Sequence, residues 1–240
     1  MKNKLMSAIL LGALMLGTTT VRAASYIKDS NKAPIVHWAV VESVPGKMGE
    51  LQALGGKYVG PEIAKESGTY LLYGALDKNN NNINRILEIY KDQAAYEIHA
   101  HSEGFKQYCQ VRKPILKDVK ILEATPIALE QKTVGLGKAV YLRLLVIKPE
   151  QMKACEQLVK REMARAVDEE ANVLGMFATA EKNRPNVVHG MEIFTDETAY
   201  TKYTASKEYK KFRAALAPML ISEHLVENMP ANINLSVKGL

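Results

Sequence analysis

Glu88-Ile89-Tyr90-Lys91-Asp92-Gln93-Ala94-Ala95-Tyr96 returns 104 residues later as Glu192-Ile193-Phe194-Thr195-Asp196-Glu197-Thr198-Ala199-Tyr200. The same offset aligns residues 36–130 with 140–234 without a gap and gives 19 identities in 95 pairs. The identities fall where they shape a chain. Pro45 meets Pro149, Met48 meets Met152, Leu54 meets Leu158, Pro114 meets Pro218 and Pro126 meets Pro230. A constant register over a domain length means one folding unit present twice. Each difference between the copies then carries information.

Each copy reads as strand, helix, strand, strand, helix, strand. The first strand spans about Ile35–Val44, and Val140–Ile147 in the second copy. A long helix is expected from Gly46 to Glu66 and from Glu150 to Glu170. There Met152, Cys155, Leu158, Val159, Met163 and Val167 keep a helical spacing. Two apolar runs joined by the polar segments 77–82 and 181–186 read as a hairpin. Asp92 and Asp196 are placed to cap one short helix, and Ser102 and Ser206 a second. A last strand is expected at Val119–Pro126 and Glu223–Pro230. This βαββαβ order gives an α+β unit, an antiparallel sheet with helices on one face. In the first strand Val36, Trp38 and Val40 alternate with His37, Ala39 and Val41, so neither face is written for water. The uncovered face needs a second sheet, and the second copy supplies one.

Bulk composition narrows the function classes. Lys2 and Lys4, an apolar run from Met6 to Leu16, and Val21-Arg22-Ala23 read as a secretory leader over residues 1–23. Secretion or a periplasmic location is therefore expected, with no membrane anchor. The net charge of +6 falls to +3 without the three basic residues of the leader (6 − 3 = 3). That balance is too mild for a nucleic-acid partner. Cys109 and Cys155 are not equivalent under the repeat and make no metal motif, so no metal ligands are assigned. They read as two separate buried thiols or as a disulfide.

The segment from Glu88 through Asp92, Ala95, Tyr96, His99, Ser102 and Phe105 resembles the signature of the antibiotic-biosynthesis monooxygenase (ABM) domain. Glu192 through Asp196, Ala199, Tyr200, Tyr203, Ser206 and Tyr209 repeats it. The resemblance implies ABM-like domains at 34–130 and 139–235. It implies two ferredoxin-like βαββαβ units whose antiparallel sheets pack face to face as an intrachain pseudo-dimeric α+β barrel, open to further self-association. It also implies a pocket between sheet and helices in each half, and oxidation of quinols or polyketide aromatics without metal or flavin. A haem-cleaving branch uses an Asn on strand one, a Trp on the short helix and a His on the next. Those places hold Ala39, His99 and Cys109 here. The family's Ser-x-His-Phe is also altered, with Gly104 and Glu208 at the His position.

His99 is the candidate catalytic base, since a near-neutral imidazole can take a phenolic proton. It also reads as a packed helix histidine. Copy two has Tyr203 there. His37 and Arg143 lie on corresponding faces of the two first strands and read either as pocket residues or as strand-end polar groups. Tyr73, Tyr90 and Tyr96 are candidate substrate-binding rings or core side chains with polar tips. Glu88 and Glu192, kept inside an apolar strand, suggest a shared structural bond, with the interface between the copies as one place for it. The expected protein is a secreted, cofactor-independent monooxygenase acting on a quinol or small aromatic with dioxygen. The alternative is a non-catalytic module holding an apolar ligand or haem.

Overall fold

A computed structural model describes residues 24–29, 32–132, 137–235 and 238. The expected leader lies outside the described residues. Unit one contains β2 (Ile35–Ser43), α1 (Met48–Tyr58), α2 (Gly60–Lys65), β3 (Thr69–Asp77), β4 (Ile83–Tyr90), α3 (Gln93–His101), α4 (Glu103–Val111) and β5 (Leu116–Gln131), after a two-residue β1 (Ala24–Ser25). Unit two repeats the order with β6 (Ala139–Ile147), α5 (Met152–Glu169), β7 (Val173–Glu181), β8 (Val187–Phe194), α6 (Glu197–Ala205), α7 (Lys207–Leu216) and β9 (Leu220–Leu235).

The strands form a single sheet in the order β1-β5-β2-β4-β3-β9-β6-β8-β7, and β7 pairs back onto β5. The two four-stranded sheets thus face each other and also join at both edges, closing an eight-stranded barrel. The fourth strands make the closure, and they run well past the eight residues expected. Residues 116–124 of β5 pair with β2, while 124–131 pair with β7. β9 likewise leaves β6 to pair with β3. Pro126 sits at a register shift in the β5–β7 ladder, where its missing N–H interrupts nothing.

Inside the barrel, Val36, Trp38, Leu87, Ile89, Leu142, Phe177 and Met191 form a shared core. Each buried side chain of this size contributes about 1.5–3 kcal/mol. Two further cores lie between the barrel wall and the helices of each unit. The predicted helix caps form: Asp92 accepts from the Ala95 N–H at 2.9 Å, and Asp196 from Ala199 at 2.8 Å. Ser102 and Ser206 accept from Phe105 and Tyr209.

The long helix expected over Gly46–Glu66 is two helices. Pro61 stands in the first turn of α2, where it lacks the N–H a continuous helix needs and crowds the preceding turn. Its counterpart is Arg165, and α5 runs 18 residues without a break. Cys109 and Cys155 are both free, and burial pushes the Cys155 thiol up to about 11.

Candidate active site

The Asp92 cap starts α3 at the point that turns His99 inward, and His99 is only 3% exposed. Its Nδ1 lies 3.0 Å from Glu66 Oε2, which also accepts from Thr69 Oγ1 at 2.6 Å. Burial acts to raise the Glu66 carboxyl, but the hydrogen bonds from His99 and Thr69 outweigh it and hold the group below its usual range. An ionised carboxylate only accepts, so Nδ1 carries the proton. Nε2 is the nitrogen left as a base.

His99 borders a cavity of about 70 Å³ between the barrel wall and helices α1, α3 and α4. Its polar lining is His99, Glu88, Tyr108 and Arg112; Ala39, Phe105, Val119 and Ile121 supply much of the apolar wall. Ile121 is 52% exposed and marks the mouth. The space holds several waters, since one needs about 10–15 Å³. It is smaller than the roughly 150 Å³ that admits benzene, so a ring enters only as wall side chains move.

Glu88 accepts from Tyr90 Oη at 3.0 Å. Burial pushes its carboxyl up against the opposing pull of His99, Tyr90 and Arg112. The surface that Glu88 retains borders the cavity. Arg112 lies 4.7 Å from the Tyr108 ring centroid, and its buried Nε–H has no hydrogen-bond partner.

Unit two has the same walls and a different content. Arg143, at the position of Ala39, extends over the sheet. Its Nε donates to Glu192 at 2.8 Å, Nη1 to Glu223 at 2.8 Å, and Nη2 to Tyr200 and Tyr209 at 3.2 and 3.0 Å. Glu192 is the counterpart of Glu88, Tyr200 of Tyr96, Tyr209 of Phe105 and Glu223 of Val119. A guanidinium with all these partners fills in unit two the region left partly open beside Ala39 in unit one.

The structure brings several predicted residues together and separates others. His99, Tyr90, Tyr96 and His37 form one ring cluster, with His99 against Tyr90 at 5.5 Å, Tyr90 against Tyr96 at 5.4 Å and His37 against Tyr96 at 4.6 Å. His99 alone of the four borders the cavity. His37 packs edge-on to Tyr90 as well, so the Tyr90 ring stands between it and His99, and strand alternation puts it one residue pair short of Ala39. Tyr73 points the other way. It is 1% exposed inside the barrel, where burial raises its hydroxyl, and it lies on the face opposite the cavity. Arg143 is a pocket filler of unit two and does not join His99. Glu88 and Glu192 bond within their own units, to Tyr90 and Arg143, and not across the interface. Sequence reasoning missed Glu66, Arg112 and the cavity-facing role of Glu88. One signal was available: Arg112 stands opposite Leu216 in the repeat, a cation against a core residue.

The model of the antibiotic biosynthesis monooxygenase family matches residues 34–111 and again 140–215. The chain belongs to this family. It is a tandem member, with both halves of the barrel on one chain. No curated protein sequence matches it. Among solved structures, a candidate monooxygenase from Lactobacillus acidophilus superimposes with a TM-score of 0.79 at 16% identity, over 85% of this chain and 97% of that one. A candidate monooxygenase from Fusobacterium nucleatum gives 0.79 at 19% identity, over 86% and 96%. An anthrone oxidase-like protein gives 0.60 at 11%, over 91% and 98%. At these identities the likeness is one of fold. ABM folds host several chemistries, so activity rests on the site itself.

Proposed function

We propose that unit one is a cofactor-independent monooxygenase site for a small phenol or quinol, and that the protein works outside the cytoplasm after loss of the leader at residues 1–23. The observation that carries this reading is the His99–Glu66 pair at the wall of a largely apolar cavity. His99 Nε2 takes the hydroxyl proton, and Glu66 stabilises the imidazolium that forms. The phenolate passes one electron to dioxygen, and the radical pair combines at a ring carbon that bears hydrogen. The imidazolium returns its proton to the peroxide. Loss of water, made from the terminal OH and the ring-carbon proton, leaves a quinone carbonyl. One dioxygen thus supplies one oxygen to product and one to water.

Unit two lacks the base, since Tyr203 replaces His99 and donates to Glu162 at 2.9 Å. Its role is to complete the barrel. Haem does not suit the cavity. A macrocycle far exceeds 70 Å³, and Ala39 and Cys109 offer neither the Asn nor the His of the haem-cleaving branch. A small apolar ligand held without turnover is the second reading.

Oxygen uptake with a panel of phenols and quinols tests the proposal. His99→Ala is expected to lower the rate by about 10²–10⁴-fold. Uptake equal to the parent's would remove His99 from the mechanism. Ligand binding with no uptake by the parent supports the second reading.

A further inference from the structure

The interior of the barrel stays open at one end. A space of about 110 Å³ lies there between the two sheets, with Trp38, Leu122, Leu142 and Val226 as its floor and Arg85, His189 and His224 at its rim. The offset of 104 pairs Trp38 with Leu142, Leu122 with Val226 and Arg85 with His189. Both units therefore build the space, and neither holds it alone. Strand register sets its charge. Val40 stands between Arg85 and Lys120 on the neighbouring strands, and its counterpart Leu144 between His189 and His224. None of the described lining residues is acidic. The acids nearby are already engaged. Asp77 accepts from Arg85 Nη1 at 3.0 Å and from the Asn79 and Asn80 N–H groups. Glu181 accepts from Arg184 Nε and Nη2 and lies 2.7 Å from His189 Nε2.

A guanidinium has five N–H groups, and the bond to Asp77 is the one side-chain hydrogen bond of Arg85 among the described residues. The Arg85 side chain is 25% exposed and that of His189 20%, so both reach the opening. Arg143 also borders the space, but its guanidinium is held on the outer face of the sheet by Glu192 and Glu223. Trp38 fixes the floor: its Nε1 donates to Thr179 of the other unit at 2.9 Å, and its ring lies 5.7 Å from that of His189. Free donors on a cation above an apolar floor match a ligand with an anionic end and an apolar tail. The tail is short and aliphatic, because the space falls below the roughly 150 Å³ that admits benzene. We infer that the open end of the barrel binds a short aliphatic carboxylate such as butyrate, with its charge on Arg85 and its tail over Trp38. Arginine and carboxylate match as two parallel N–H···O bonds. The site lies on the face of β2 opposite Ala39, so it stands apart from the cavity at His99.

Titration calorimetry with butyrate tests this, with a second readout in the emission of Trp38, the single tryptophan of the chain. Butyrate is expected to bind at least ten-fold more tightly than 1-butanol, which lacks the charge, and than inorganic phosphate, which lacks the tail. Arg85→Gln is expected to weaken butyrate binding at least ten-fold, with Arg85→Lys recovering part. Leu144→Glu, at an exposed position, puts an acid at the opening and is expected to abolish binding. His99→Ala is expected to bind butyrate as the parent does. Equal affinity of the parent for butyrate and 1-butanol would overturn the role of Arg85. Phosphate binding as tightly as butyrate would overturn the apolar tail. Unchanged butyrate affinity in Leu144→Glu would move the ligand elsewhere. Neither heat nor a change in Trp38 emission with butyrate in large excess would remove the site, while leaving the oxygen-uptake proposal untouched.

Discussion

Glu66 and Glu88 are two carboxylates of one site, driven in opposite directions by their surroundings. Glu66 is held low by His99 and Thr69, against the pull of burial. A depressed folded-state pKa contributes stability above the unfolded value, near 4.5, and loses it as pH falls through the folded value. Glu66→Gln is therefore expected to lower Tm at pH 7 by several degrees, for hydrogen bonds worth about 1.5–3 kcal/mol. The difference from the parent should shrink as pH falls below the unfolded value and through the folded one. Glu88 is the reverse case. Its raised pKa means stability is lost as pH climbs through the folded value. Glu88→Gln keeps an acceptor for Tyr90 and removes the buried charge. A Tm gain of about 2–4 °C at neutral pH is expected, equivalent to about 1 kcal/mol. Thermal melts of both variants from pH 3 to 8 check the two signs. Of this site, His99 was legible because the family pattern points to it. Glu66 and Arg112 were not, because their importance comes from which partner they meet or lack.

At the scale of elements, close packing explains a departure from the family pattern. A Cβ on Gly104 would lie 2.1 Å from the Tyr58 carbonyl oxygen. Helix α4 therefore crosses the end of α1 at a distance only glycine permits. Gly104→Ala is expected to cost about 1–3 kcal/mol, read as a Tm loss in thermal melts. In unit two, Arg143→Ala removes one side of a buried network and leaves Glu192 without its cation, while Glu223 keeps Arg213. A loss of about 3–5 kcal/mol is expected by denaturant titration. The strands, caps and helix–strand order were legible from the repeat, since Asp92, Ser102 and their counterparts do in space what their spacing suggests. The break at Pro61 was not foreseen, although Pro61 stands in the chain where copy two has Arg165 and an unbroken helix. Tyr73 was misplaced because residue type does not say which face of a doubly buried strand is meant.

Across the whole molecule, duplication turns a two-chain barrel into one chain and lets the halves diverge. Closure needs both fourth strands to cross between units, so neither unit keeps its outer ladders alone. The barrel was legible in the apolar alternation of both strand faces, while the length of β5 and β9 was not, because their second halves answer only to the partner unit. Under the proposed function, unit one admits substrate because Ala39 leaves open what Arg143 fills in unit two. The most direct measurement is oxygen uptake by Ala39→Arg against the parent, across the same phenol and quinol panel. A folded protein whose uptake falls about a hundred-fold is expected, with an arginine side chain now occupying both pockets. Uptake by Ala39→Arg at the parental rate would contradict it.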